Sequence, residues 1–314
     1  MDWMIDARDL TKRFDRHIAV DGINLTIAPG EVYGLIGPNG AGKTTLIRML
    51  AAVDTPTLGE VYINGFAVGD RRQRQHIARS IGFLPDDFPV YDDLLVRDYL
   101  EYFGRLYGLH GLALEGRIYD VLTLVQLDQK RDAVIGTLSR GMKQRLSLAR
   151  TVLHEPSLLL LDEPVSGLDP IARQEFRQII RSLHAAGMTV LISSHVLSDL
   201  AELCTCVGIM ETGNLVASAP LANLYDQFSG QTLHLGVLER LDDLERLLEC
   251  HALTDSLAVD RDRQTMTARF KGSDRDRAAL LQDIVAAAIP LVEFRCDRDN
   301  LEQIFLKLDR RQTS

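Results

Sequence analysis

The stretch that most limits what this chain can become runs from Gly37 through Pro38, Asn39, Gly40, Ala41, Gly42 and Lys43 to Thr44, with Thr45 next. It fits G-x-x-x-x-G-K-[ST] and stands between an apolar run that reads as a strand and a periodic run that reads as a helix. Residues 31–36 follow the turn pair Pro29-Gly30 and are stopped by Gly37, the mark of a short buried strand. Leu46, Ile47 and Leu50 then recur at helical spacing over 44–52. That strand–loop–helix setting is what the pattern requires. Glycines let the backbone wrap closely, so its N–H groups converge as an anion nest. The start of the following helix adds the positive end of its dipole. Lys43 is expected to reach the β- and γ-phosphates of a nucleotide and Thr44 to ligate Mg²⁺.

Two further stretches supply chemistry. Four leucines at 158–161 lead into Asp162 and Glu163, which places paired carboxylates at the carboxyl end of a buried strand. In an open parallel sheet that end is where ligands bind. Asp162 is expected to hold Mg²⁺ through water, and Glu163 to act as a base orienting an attacking water, an effect of ~10²–10⁴-fold. The spacing of ~120 residues from the phosphate loop strengthens the pair. Between the two lies Leu138-Ser139-Arg140-Gly141-Met142. Ser139 suits an N-cap, and a helix that opens with a hydroxyl and a glycine offers a second anion site.

Around these motifs the chain alternates strands and helices. A third buried strand reads at 189–192, and helices read at 142–153 and 172–183. That order predicts a parallel sheet covered on both faces. The segments before residue 30 and at 59–68 alternate instead like antiparallel strands. Residues 86 to about 137 carry helical spacing and no buried-strand run. Seven of the 19 aromatics of the chain fall between Phe83 and Tyr107, a load that suits either a small helical core or an exposed docking patch. Residues 218–232 turn to Pro, Ser, Gly, Asn and Gln and read as a linker. Beyond them the order is strand (233–237), helix (240–250), strands (256–259 and 266–270), helix (275–288) and strand (291–295). A last helix reads at 300–308. This is β-α-β-β-α-β, a ferredoxin-like unit, and it holds no catalytic constellation.

With 314 residues, 46% of them hydrophobic, the chain has enough apolar material for about two domains. No apolar stretch approaches the ~20 residues of a membrane span, and the N-terminus lacks the basic and apolar regions of a secretory signal. Cys204, Cys206, Cys250 and Cys296 form no CxxC pair, which points to a reducing compartment. A net charge of −9 lends no support to nucleic-acid binding.

These motifs, together with Val165-Ser166-Gly167-Leu168-Asp169-Pro170 and Ser194-His195, closely resemble those of ABC-type ATPases over about residues 4–222. The Ser-Arg-Gly-Met-Lys-Gln wording and the C-terminal tail are most similar to the ATP-binding subunits of ABC-2-type exporters. The resemblance implies a P-loop NTPase core with a parallel sheet, an antiparallel β subdomain and a helical subdomain at about 86–137, all within a nucleotide-binding domain at 1–222. The ferredoxin-like α+β unit at 223–314 would be an accessory domain. By resemblance Phe14 stacks on adenine, and Ser139 and Gly141 touch the γ-phosphate held by the opposite protomer. Asp169 lies at the seam between protomers, and His195 contacts the γ-phosphate and the attacking water. Two positions depart from the family pattern. Asp86 stands where a glutamine is usual, able to ligate Mg²⁺ yet adding negative charge beside triphosphate. Arg140 replaces the first glycine of the Ser-Gly-Gly run.

The function so implied is ATP binding and hydrolysis by a subunit that dimerises head to tail around two Mg-ATP. It would drive a separate integral membrane permease docking near residues 86–107, on the cytoplasmic side of the cell membrane. A ribosome- or DNA-directed ATPase is the alternative. Against it, only one cassette is present, and the gap of about 95 residues between loop and signature leaves no room for a long coiled coil. A non-hydrolysing regulator is disfavoured by the intact Lys43, Glu163 and His195.

Overall fold

A computed structural model describes residues 3–87, 90–196, 200, 202–221, 223 and 231–298. The chain divides into two compact units, Met1–Leu221 and Ala222–Ser314.

The first unit holds two sheets. In the antiparallel sheet, β1 (Ile5–Phe14) pairs on one side with β2 (His17–Ile27) and on the other with β4 (Leu58–Ile63), and the short β5 (Phe66–Ala67) completes it. The second sheet is built on β3 (Val32–Ile36), β6 (Ile81–Leu84), β7 (Leu158–Leu161), β8 (Thr189–Ser194), β9 (Cys206–Glu211) and β10 (Asn214–Pro220). Its order is β10-β9-β3-β8-β7-β6, parallel throughout except for the antiparallel edge strand β10. Every side chain of β7 is buried, because both faces of the sheet are covered; this is why the sequence there is unbroken leucine rather than an alternation. One face shares a core with α1 (Lys43–Leu50) and the antiparallel sheet, through Leu35, Leu46, Ile47, Leu158, Leu160 and Leu191.

Helices α2 (Arg74–Ser80), α3 (Val96–Leu106), α4 (Gly111–Leu124), α5 (Arg140–Val152) and α6 (Pro170–Ala185) follow. The aromatic-rich stretch divides between buried and exposed rings. Tyr99 is fully buried, whereas Tyr91 and Tyr102 are exposed, and Tyr91, Tyr99 and Phe103 form a run of ring contacts. Phe88 lies outside the described residues.

The linker expected at 218–232 is shorter than its composition suggests. Ser218, Ala219 and Pro220 pair with β9, and the Ser218 hydroxyl lies 2.8 Å from the buried Tyr33 hydroxyl. Ladder pairing outweighs turn propensity here, and a proline is tolerated because it ends an edge strand. At the other end Gln231 and Thr232 already belong to the next strand.

The second unit is a four-stranded antiparallel sheet of β11 (Gln231–Val237), β12 (Thr254–Asp260), β13 (Thr265–Phe270) and β14 (Leu291–Arg298), with α7 (Leu241–Cys250) and α8 (Asp274–Ala286). The order β12-β13-β11-β14 is that of a ferredoxin-like unit. Its core is its own, built from Leu233, Leu235, Leu244, Met266, Phe270 and Leu280 among others. A capping box of Ser273 and Asp276 starts α8. The helix expected at 300–308 lies outside the described residues.

Candidate functional site

Strand order brings the motifs together. β3, β8, β7 and β6 are consecutive neighbours and parallel, so their carboxyl ends open on one edge of the sheet. The phosphate loop leaves β3 there, Ser193 to His195 leave β8, Asp162 and Glu163 leave β7, and Asp86 follows β6. The Asp162 N–H donates to the Leu84 carbonyl at 2.9 Å, which extends the ladder into the site.

The loop needs its glycines for space. A Cβ on Gly37 would strike the Met210 carbonyl of β9. Gly42, the residue capping α1, has φ +101°, and its Cβ would strike the Ala19 carbonyl. Lys43 is buried, and its Nζ donates to the carbonyls of Gly37 at 2.7 Å and Pro38 at 3.2 Å. It also lies 3.3 Å from Glu163 Oε1. Thr44 is exposed on the first turn of α1, and Thr45 is half-buried beside it.

Across the loop, Glu163 adopts φ +47°, rare for a residue with a side chain and confined to well-braced sites. Its Oε2 sits 2.7 Å from His195 Nδ1. Its Oε1 is buried and, apart from the ionic approach of Lys43, has no hydrogen-bond partner. Lys43 and His195, which follow two different strands, thus both reach the Glu163 carboxylate at the end of a third. Such an unsatisfied oxygen, beside an imidazole still 43% exposed, suits a water or a reacting group as its partner.

Sequence reasoning missed the brace. Ser193, fully buried, donates to Asp162 Oδ1 at 2.7 Å and accepts from the Glu163 N–H at 2.9 Å. One hydroxyl thereby fixes both carboxylate residues. The available signal was a serine pair closing an otherwise apolar strand just before His195. Asp162 is 1% exposed and Thr44 is exposed beside the loop, so oxygen donors of the kind that suit Mg²⁺ are present. Among the described residues no three His, Cys, Asp or Glu side chains converge on a metal position. Asp86 is exposed as a residue. Partial shielding from water, then the negative charges of Asp162, Glu163 and Asp87, hold its carboxyl above the usual carboxylate range, and Arg140 opposes the shift.

The remaining expected residues stand apart from this cluster. Ser139 caps α5, its Oγ accepting from the Met142 N–H at 3.2 Å. Asp169 caps α6, accepting from the Ala172 N–H at 2.9 Å, with Pro170 opening the helix. The two helix starts pack together so closely that a Cβ on Gly141 would lie 2.9 Å from that of Ala172. Phe14 ends β1, 47% exposed as a residue, with Lys12 Nζ 5.1 Å from the centre of its ring. Among the described residues, no side-chain hydrogen bond joins Ser139, Asp169 or Phe14 to the phosphate loop or its carboxylates.

Comparison with known proteins agrees with this geometry. The family model described as ABC transporter matches residues 20–166. The Nod factor export ATP-binding protein I of Burkholderia orbicola is 32% identical over 98% of this chain and 97% of its own. The linearmycin resistance ATP-binding protein of Bacillus subtilis is 29% identical over 98% and 99%. Among solved structures, a dimeric bacterial ABC transporter cassette superposes with a TM-score of 0.64 and 26% identity, covering 69% of this chain and 99% of that one. The same cassette in a post-hydrolysis state bound to ADP and Pi gives 0.63 and 25%, again covering 69% and 99%. No described helix is long and apolar enough to cross a membrane. With the phosphate loop, the paired carboxylates and the histidine gathered on one sheet edge, and relatives matched end to end, the chain belongs to the ABC transporter family as an ATP-binding subunit.

Proposed function

We propose that this chain binds and hydrolyses ATP as the motor subunit of an exporter, two copies closing head to tail on two nucleotides to drive a separate membrane permease. The observation that carries the reading is that Lys43 and His195 both approach the Glu163 carboxylate, which joins a phosphate-binding loop to a positioned base. The loop residues 37–45 wrap the phosphates, Lys43 meets the β- and γ-phosphates, and Phe14 stacks on adenine. Glu163 accepts a proton from the attacking water, and His195, held by Glu163, orients that water against the γ-phosphate. Thr44 and Asp162 would hold Mg²⁺, with Asp86 alongside, and the ion would supply positive charge against the phosphates.

Among the described residues no hydrogen bond ties Ser139 or Gly141, at the start of α5, to the phosphate loop of their own chain. They complete the site of the opposite copy, with Asp169 at the seam; the dimeric cassette among the structural relatives supports this arrangement. Loss of the γ-phosphate then removes the contact that holds the copies together. The names of the full-length relatives, one an export protein and one a resistance protein, support outward transport.

The permease docks on the helical part of the first unit, near residues 86–107. A notch of about 640 Å³ begins where the aromatic stretch ends, lined by Arg79, Tyr107, Leu109, Leu112, Leu153 and His154. The Tyr107 and His154 rings stack at 3.9 Å and 8°. Burial lowers the His154 pKa and raises that of Tyr107, so both rings are neutral at physiological pH and offer a flat platform to an apolar side chain. Residues 1–222 thus form the motor and 223–314 an accessory domain.

Glu163→Gln tests the core of the reading. The variant is expected to bind ATP, lose turnover by about 10²-fold or more, and accumulate an ATP-dependent dimer in size-exclusion chromatography. Turnover at the parent rate would remove Glu163 from the role of base. Copurification of a hydrophobic membrane protein supports transport, whereas ribosomal RNA in its place would overturn it.

A further inference from the structure

Arg140, the first residue of α5, makes two contacts with one turn. Its Nη2 donates to the Ser166 carbonyl at 3.3 Å. A Cβ on Gly167 would lie 2.7 Å from Cζ, Nη1 and Nη2 alike, so the guanidinium lies flat over that glycine. Gly167 has φ +66° and no side chain to hold the plane off. Ser166 is also the residue whose N–H donates to the Glu163 carbonyl at 3.1 Å. The turn covered by Arg140 is therefore the one that begins at Glu163, itself in the left-handed conformation. Such a conformation persists only where its surroundings over-determine it. Ser193 braces the turn from the sheet side through the Glu163 N–H, and Arg140 braces it from the helix side. Its charge also offsets, at Asp86, part of the negative potential of the neighbouring carboxylates.

We infer that Arg140 is a positioning residue: stacked on Gly167 and bonded to Ser166, it ties the Ser139-capped start of α5 to the turn that places Glu163. The helix end that addresses the partner copy's nucleotide and the carboxylate that works on this chain's own nucleotide then move as one piece. This rests on the proposed function for its consequence in hydrolysis, but the tie itself is a property of the single chain. Lysine would keep the charge without the plane that covers Gly167. An alanine at 167 would displace the plane without removing the charge.

The test uses the full chain and the variants Arg140→Ala, Arg140→Lys and Gly167→Ala. In the nucleotide-free chain, amide hydrogen exchange at 166–169 is expected to speed up in Arg140→Ala and Gly167→Ala, and less in Arg140→Lys. Unchanged exchange in all three overturns the tie. In MgATP titrations, Arg140→Ala and Gly167→Ala are each expected to lower kcat about five- to tenfold with KM within about twofold, and Arg140→Lys to fall between. The Arg140→Ala/Gly167→Ala pair is expected to lose no more than its worse single variant. An unchanged kcat, a loss carried by KM alone, or additive losses would overturn the positioning role. Should Arg140→Ala fail to fold, the Arg140→Lys and Gly167→Ala arms decide the same question. A parent chain inert towards ATP would sink the proposed function, and the exchange arm would still decide the tie.

Discussion

Replacing Ser193 by alanine removes one oxygen and strands two groups. Asp162 Oδ1 loses its 2.7 Å donor inside a fully buried pocket, and the Glu163 N–H loses its 2.9 Å acceptor. Each orphaned buried group costs about 1–3 kcal/mol. Glu163 is only partly buried, so the sum for the variant is about 2–4 kcal/mol of folding stability. In a unit of roughly 200 residues that lowers Tm by about 5–15 °C. The kinetic effect is separate. The freed N–H loosens a residue at φ +47°, and a base displaced by a fraction of an ångström costs about 10- to 100-fold in turnover. Calorimetry and steady-state ATP hydrolysis read the two losses independently. Because the hydroxyl acts on hydrolysis through Glu163, Ser193→Ala should add no further loss of turnover in the Glu163→Gln background. A Tm within about 1 °C of the parent together with turnover within about twofold would refute the brace.

Phe14→Ala should weaken ATP binding by about 1–3 kcal/mol, roughly 5- to 150-fold in Kd, with kcat at saturation unchanged; an unaltered titration with a fluorescent ATP analogue would exclude the ring from the base contact. Asp86→Asn should change the pH dependence of stability. The folded-state pKa of Asp86 is raised, so the folded chain binds the proton more tightly than the unfolded one. Stability is therefore lost as pH rises from the unfolded value, about 3.9, through the folded value. The variant should be more stable than the parent above that interval and equal to it below, and a parent at least as stable at neutral pH would refute the sign. Burial pushes the Cys204 and Cys206 thiols up to about 12, whereas Cys250 is exposed. Brief alkylation of the native chain at neutral pH should label Cys250 and spare Cys204 and Cys206, read by peptide mass spectrometry.

What could be read in the linear chain was whatever depends on near neighbours. The phosphate loop needs two glycines, a lysine and a hydroxyl in a fixed order between a strand and a helix, and all of that is local. Unbroken leucine at 158–161 announced a strand buried on both faces, and Ser139 announced a helix start. The same reasoning placed the linker too wide, because Ser, Pro and Gly report turn propensity and say nothing of the neighbouring strand that pairs with Ser218 to Pro220.

Folding alone settled which side chains meet. Lys43, Glu163 and His195 are separated by scores of residues, and only the order β3-β8-β7-β6 sets their strand ends side by side. That order follows from covering both faces of the sheet at once, a condition on the whole chain that no short window of residues contains. Ser193 and Arg140 make the same point. A serine closing a strand and an arginine opening a helix are unremarkable in the sequence; one becomes a two-sided brace and the other a cover over Gly167 because distant segments are packed against them.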